Sequence, residues 1–311
     1  MYDVVIVGAG PAGLTAALYA GRSKLRVRFL EKHALGGQIL FTDVIENFPG
    51  VYKMNAYAWI EIMKKQLDDL KDVEIKEEVK VEKVESQGDI FKTHIVSQVD
   101  HHKDILDSRS VIIATGAVPK RLGIKGEETF IGRGVSYCGT CDGPLFKNKD
   151  IVLIGGGDTA LEEALYLKRF VKKLTLVHRR NALRAAAVLQ ERVKADTKIH
   201  LQLEAVPLEV IGKTRVEAIK IEHVATHVQN VIPCDGVFIF IGSSPDTEFL
   251  KGFLDMNEGG YIITAENMMS SFTGVFACGD CRVRPFKQVV TACSDGAIAA
   301  YSVAKFLENK I

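Results

Sequence analysis

The sequence predicts an α/β fold of two similar units, the second inserted in the first. Three observations carry that prediction. The stretches "VVIVGAGPAGLTAAL" (Val4–Leu18) and "IVLIGGGDTALEEAL" (Ile151–Leu165) are one strand–turn–helix device written twice. Two stretches rich in Gly, Pro or Ser, "GAVPKRLGIKG" (Gly116–Gly126) and "IGSSPDTEF" (Ile241–Phe249), bracket the second copy as linkers. A length of 311 residues also exceeds the roughly 250–300 at which a single core stops growing. Each unit is expected to stack three layers around a mostly parallel sheet.

Composition narrows the function classes. The chain is 47% hydrophobic and 25% charged, and 40 Lys and Arg against 39 Asp and Glu leave a net charge of +1. That balance offers no footprint for nucleic acid or an anionic membrane, and no apolar run approaches the ~18 residues of a membrane span. The N-terminus, "MYDVVIVGAG", carries an acid at Asp3 and no basic segment, so it reads as a buried strand rather than an export signal. Six cysteines are too few for a disulfide scaffold. A cytoplasmic protein is expected, and in that compartment a C-x-x-C pair is more often catalytic or metal-binding than structural.

In the first device a β-branched strand runs into Gly8, Gly10 and Gly13, and an apolar-periodic helix follows. The first glycine permits a tight turn, the second lets backbone approach a pyrophosphate, and the third lets helix and strand close together. The helix N-terminus then attracts the phosphate charge. The next strand, "LRVRFLE" (Leu25–Glu31), ends in an acid, which suits an unphosphorylated ribose as in FAD or NAD. The loops "GGQIL" (Gly36–Leu40) and "IENFPG" (Ile45–Gly50) read as backbone that comes close to a flat ring.

The second device repeats the pattern with Gly155, Gly157 and Ala160. Its following strand, "LTLVHRR" (Leu174–Arg180), ends in His178, Arg179 and Arg180, with Arg184 close behind. Cations in place of the acid pair with a 2′-phosphate through charge-assisted, forked hydrogen bonds, which points to NADPH. Both devices are therefore read as Rossmann-like dinucleotide-binding domains. Near the C-terminus, "GVFACGDCRVRPFKQVVTACSDGAIAA" (Gly274–Ala300) combines a strand-like start, Gly279-Asp280 and a small-residue helix. A carboxylate there can bond a ribityl hydroxyl, and the helix N-terminus can face an electron-rich flavin edge.

"YCGTCDGPLF" (Tyr137–Phe146) holds a C-x-x-C followed at once by Asp142. A second pair, Cys278 and Cys281, raises a four-cysteine zinc site, but the two pairs lie much further apart than the roughly 15–20 residues of a zinc ribbon. Cys138 and Cys141 suit a short-loop disulfide that a thiolate opens by exchange, with Asp142 moving the proton that exchange requires. Cys278 and Cys281 are read as incidental, and Cys234 and Cys293 as small buried hydrophobes. His101 and His102 fall in a charged alternating stretch read as a solvated hairpin. His223 and His227 fall in "VEAIKIEHVATHV", which alternates as a strand and would put both on one face. Trp59 and Phe48 are read as core packing. No metal site is expected.

These residues carry a resemblance. GAGPAG, GGQ, ENFPG, ATGA, GVSYCGTCDG, GGGDTALEEA, HRRNALRA, FACGD and DGAIAA follow one another over essentially the whole chain as they do in the low-molecular-weight thioredoxin reductases, a branch of the flavoprotein pyridine nucleotide-disulfide oxidoreductases. The CxxCD ahead of the second glycine turn is the specific element. Longer relatives of the glutathione reductase type place their cysteines near the first turn and carry an added dimerisation domain. The resemblance implies FAD in a discontinuous domain of residues 1–115 and 243–311, NADPH in a domain of residues 116–242 that also carries the CxxC, and a homodimer. It implies flavin contacts at Gly8, Gly10, Pro11, Ala12, Gly13, Glu31, Lys32, Gly37, Gln38, Asn47, Ala114, Thr115, Gly116, Gly279, Asp280, Lys287, Gln288 and Val289. It implies NADPH contacts at Gly155, Gly157, Asp158, Thr159, Ala160, His178, Arg179, Arg180 and Arg184. Cys141 would sit against the flavin, Cys138 would attack the disulfide of thioredoxin or a thioredoxin-like protein, and Asp142 would serve as acid and base.

Two departures stand out. Lys287-Gln288 replaces a common Arg-Gln, which keeps the charge and loses the fork. Pro144 and Leu145 follow the CxxCDG where many members carry aromatics, so a divergent partner is expected. Ferredoxin-fed or oxygen-using relatives tend to lose the GGGDTA and HRR features kept here. Because the CxxC and the nicotinamide site share one unit while the flavin belongs to the other, the insert is expected to swing about the linkers.

Overall fold

The computed structural model describes residues 1–41, 44–45 and 47–308. It divides into two compact units, Met1–Val118 with Ser244–Ile311, and Pro119–Ser243.

The first unit is built on a five-stranded parallel sheet. Its order is Val275–Ala277, Val111–Ile113, Val4–Val7, Val27–Leu30 and Val73–Lys76. The central strand pairs Val5 with Val111 and Arg28, so the glycine turn leaves from the middle of the sheet. Side chains alternate between the two faces of such a strand. Val4, Ile6, Phe29 and Phe276 face the helices Pro11–Arg22 and Val289–Glu308, while Val5, Val7, Leu30 and Ile113 face a three-stranded antiparallel sheet. That sheet comprises Val79–Gln87, Ile90–Ser97 and Lys103–Ser108. The third layer is thus antiparallel sheet, because the long alternating strands have one apolar face to bury. His101 and His102 are exposed in the turn between its last two strands.

The second unit repeats the plan. Its parallel sheet runs Val135–Ser136, Gly236–Phe240, Asp150–Gly155, Lys173–Val177 and Ile199–Gln202, again with the strand of the glycine turn in third place. Ile151, Leu153, Leu174, Leu176 and Phe238 pack on the helices Asp158–Leu167 and Ala187–Lys194. Val152, Ile154, Val177 and Val237 pack on an antiparallel sheet of Ala205–Gly212, Val216–His223 and Gln229–Pro233. The expected common face for His223 and His227 is corrected here, since the strand ends at His223. His223 Nδ1 accepts from the N–H groups of Ala225 and Thr226 and turns the chain, and His227 lies beyond the turn beside Glu222.

The chain crosses between the units twice, through Ala117–Pro119 and Ser243–Pro245, which pair as a two-stranded ribbon. Among the described residues no helix is long and apolar enough to cross a membrane.

Candidate active site

In the first unit the glycine turn is shaped by contacts that exclude side chains. A Cβ on Gly8, whose φ is +99°, would fall 2.6 Å from the Ala114 carbonyl oxygen, and one on Gly13 would fall 1.8 Å from the Gly8 oxygen. Above Gly10, by contrast, a Cβ would meet nothing within 4 Å. The helix Pro11–Arg22 starts there with no side chain capping it. Free N–H donors beside open space form a site for a pyrophosphate. Glu31 accepts from the N–H groups of Ala9 (2.6 Å) and His33 (2.9 Å), so the acid predicted for the ribose also braces the turn. Lys32 and Gly37 are half-buried and Gln38 is exposed.

The C-terminal segment brings a second carboxylate into this unit. Asp280 Oδ1 is buried without a hydrogen-bond partner, and burial pushes its carboxyl above the usual range while Lys287 and Arg284 pull it down. An orphaned buried acceptor fits a ligand hydroxyl. Gly279 reaches its position because Asp295, 5% exposed, accepts its N–H at 3.1 Å. Asp295 also takes Arg282 and Arg284 at 3.2 and 3.0 Å. The hub gathers residues 11 to 16 positions apart within the one C-terminal segment, a spacing that matches neither a helix nor a strand period. Lys287 rests over the Tyr261 ring at 3.8 Å, and Asn47 donates to Gln288 at 3.0 Å just before Val289 opens the last helix. Glu46 of the neighbouring loop lies outside the described residues. Trp59 is buried edge-on against Phe48.

Cys278 and Cys281 are fully buried free thiols, with burial raising both. Cys281 Sγ donates to the Ile113 and Cys278 oxygens. Cys234 is buried as expected, whereas Cys293 is only partly so and its thiol points at the Pro11 oxygen.

In the second unit Gly155 is closed in by Ala160 and the Phe240 oxygen, and Gly157 faces open space at an uncapped helix start. The arginine loop is latched to this turn twice. Arg184 N–H donates to the Gly156 oxygen at 2.7 Å, and Ala186 N–H donates to Asp158 Oδ1 at 2.7 Å. Arg179, Arg180 and Arg184 are exposed beside it, as is Thr159. His178 differs from its arginine neighbours. It is 6% exposed against Gly156, and burial and then the charge of Arg184 lower its basicity, so it packs as a neutral ring. Open glycine, free helix donors and three unburied guanidiniums fit a dinucleotide with an added phosphate.

The same unit carries the cysteines. Cys138 and Cys141 form a disulfide across the turn Gly139–Asp142. Cys138 Sγ accepts the Cys141 N–H at 3.2 Å and lies 3.4 Å from Thr140 Oγ1, and Ser136 Oγ bridges the backbone on both sides of Cys138. Asp142, half-buried, closes the turn through its N–H to the Cys138 oxygen at 3.2 Å. Tyr137 donates to Glu127 at 2.7 Å and accepts from Arg121 at 2.9 Å. Glu127 is 1% exposed and takes the N–H groups of Leu122 and Gly123 as well. Sequence reasoning finds the cysteines but not this brace.

One unit thus holds a disulfide turn packed on the helix after its glycine turn, and the other unit holds a second glycine turn. Residues 2–296 match the family described as pyridine nucleotide-disulphide oxidoreductase. The thioredoxin reductase of Treponema pallidum is 42% identical over 309 residues, covering 99% of this chain and 98% of the relative. That of Listeria innocua is 40% identical over 320 residues, covering 99% and 95%. The crystal structure of thioredoxin reductase from Streptococcus pyogenes superposes with a TM-score of 0.93 at 41% identity, covering 99% of each chain. With its glycine turns and its Cys138–Cys141 disulfide, this chain belongs to the pyridine nucleotide-disulphide oxidoreductase family.

Proposed function

We infer that this protein is an NADPH-dependent flavoprotein that reduces the disulfide of thioredoxin or a thioredoxin-like protein. The observation that carries the reading is the Cys138–Cys141 disulfide, with the Cys141 N–H on Cys138 Sγ, in one unit with the arginine-bordered glycine turn. When bound, FAD and NADPH supply the two-electron reduction that opens this disulfide.

In the first unit the Gly8–Gly13 turn and Glu31 hold the adenosine end of FAD, and Asp280 holds a hydroxyl of its chain. In the second, Gly155–Ala160 and the exposed Arg179, Arg180 and Arg184 hold NADPH, with Asp158 keeping the arginine loop against the turn. In the reduced turn Cys138, as a thiolate, attacks one sulfur of the partner's disulfide. The partner's S–S bond breaks, a mixed disulfide forms, and the departing sulfur takes a proton, for which Asp142 is the nearest acid in sequence. Cys141 then attacks Cys138, the second partner sulfur leaves, and the internal disulfide is restored. The donor already on Cys138 Sγ favours the thiolate there.

The insert turns about the ribbon of Ala117–Pro119 and Ser243–Pro245, where Gly116 and Gly242 adopt φ of +70° and +108°. A cytoplasmic homodimer completes the reading and rests on the family resemblance. The test is anaerobic addition of NADPH to the purified flavoprotein while the flavin absorbance is followed, then addition of thioredoxin. Bleaching by NADPH and recovery with thioredoxin are expected. A flavin that NADPH leaves oxidised, or that thioredoxin fails to reoxidise, overturns it.

A further inference from the structure

Between the two cysteines stands Gly139, and its φ does not demand glycine. Space does. A Cβ there would fall 2.0 Å from Glu163 Oε2 and 3.1 Å from its carboxyl carbon. Glu163 comes from the helix Asp158–Leu167, directly after the second glycine turn, and its Oε2 is buried without a hydrogen-bond partner. The nucleotide and disulfide chemistry assigned above makes no use of it.

Charged groups of both signs lie on the elements around this carboxyl, and Glu162 is the one whose charge acts on it. Glu162 neighbours it on the same helix, and Asp142 ends the cysteine turn packed against it. The other elements packed on the helix bring Asp150 and Lys173 at strand ends, and Glu191, Arg192 and Lys194 on Ala187–Lys194. Burial first, and Glu162 second, push the Glu163 carboxyl up to about 7, and no cation offsets them. Near neutral pH it is therefore poised between acid and carboxylate.

We propose that Glu163 is a positioning residue of the Cys138–Cys141 couple, taking up a proton when the disulfide of the turn it packs against is reduced to a thiolate. Reduction breaks the S–S bond with two electrons from the chain of carriers already assigned. One sulfur takes a proton and becomes a thiol, and the other remains a thiolate. That new negative charge disfavours a second one on Glu163, so a proton from solvent binds the carboxylate. The pair then titrates as a unit. Above pH 7 each further pH unit opposes reduction about tenfold more in the wild type than in a variant with a neutral side chain. The effect ends where Glu163 ionises even in the reduced enzyme.

The proposal rests on Cys138–Cys141 being the redox couple. Its test is the thiol–disulfide equilibrium of the FAD-bound enzyme against a reference dithiol, from pH 6 to 8.5, with Cys138 and Cys141 scored by quenched thiol labelling. Wild type and Glu163→Gln should coincide near pH 6 and diverge above pH 7, the wild-type disulfide becoming about fivefold to tenfold harder to reduce by pH 8. Glu163→Asp should bend again at a displaced pH, which also serves if the Gln variant does not fold. A constant ratio across the range overturns the proposal. Absence of any Cys138–Cys141 reduction would instead overturn the functional reading beneath it.

Discussion

The backbone N–H of Cys141 donates to Sγ of Cys138 across 3.2 Å. Cys138 Sγ thus holds a backbone donor before any partner arrives. A sulfur with an N–H donor carries negative charge at lower cost, which supports the proposal that Cys138 is the nucleophile toward the partner and Cys141 the resolving group.

Cys138→Ser and Cys141→Ser should each leave flavin bleaching by NADPH intact and abolish thioredoxin reduction. After reduction of the wild type, iodoacetamide should label Cys138 faster than Cys141, read by peptide mass. Full thioredoxin turnover by either serine variant removes the pair from the mechanism.

Arg179 and Arg180 are exposed beside a glycine turn whose loop is latched by Asp158 and Gly156. A charged hydrogen bond contributes roughly 1.5–3 kcal/mol, or about ten- to a hundredfold in kcat/KM for each arginine that grips a 2′-phosphate. Replacing both with alanine should depress kcat/KM for NADPH and spare that for NADH. Equal loss with the two coenzymes assigns the arginines a structural part only.

Both glycine turns are legible in the sequence because their causes are local. Gly8 to Gly13 fold on one another, and the strand before them is apolar on both faces. The disulfide turn is legible for the same reason. Asp295, Glu127 and Glu163 are not, because their partners lie in loops and turns at spacings that no helix or strand period marks. Nothing near Asp295 in sequence names Gly279 as its partner, and nothing in "CGTC" says that its glycine makes room for a carboxyl. His178 is the opposite case: it reads as one cation of three, yet it follows directly on the strand Lys173–Val177 and is itself buried, and desolvation lowers its basicity.

Asp295 joins Gly279 to Arg282 and Arg284 with side chains 8–15% exposed. Removing one partner of a buried ion pair costs about 3–5 kcal/mol, because the other charges stay behind. Asp295→Ala should lower stability by that order and reduce the FAD retained on purification, measured as the absorbance ratio of flavin to protein. Normal flavin content in a folded variant would detach this hub from the cofactor.

Glu127 holds the backbone of Leu122 and Gly123 and the hydroxyl of Tyr137, the residue before Cys138. Glu127→Ala leaves those partly buried donors without their acceptor, and a loss of about 2 kcal/mol is expected in urea denaturation. Tyr137→Phe removes one bond of the set and should cost about 1 kcal/mol. If the two variants were equally stable, the brace would not run through Glu127.

The buried carboxyl of Glu163 makes a prediction about stability that is independent of the sulfurs. Its ordinary value of 4.5 in the unfolded chain rises to about 7 in the folded protein. Between these values the folded state binds the extra proton, so stability falls as pH rises from about 4.5 to about 7 and is level beyond. The rise corresponds to at most about 3 kcal/mol, which partial solvent screening reduces to about 1–2 kcal/mol. Glu163→Gln removes the ionisation and keeps the shape. The oxidised variant should therefore exceed wild type in stability by about 1–2 kcal/mol at pH 8, and the gap should close as pH approaches 4.5. Urea denaturation of the two oxidised proteins at pH 5 and pH 8 measures the difference directly. A gap of the same size at both pH values would mean that Gln simply packs better under Gly139, and that the carboxyl is not held as an acid there.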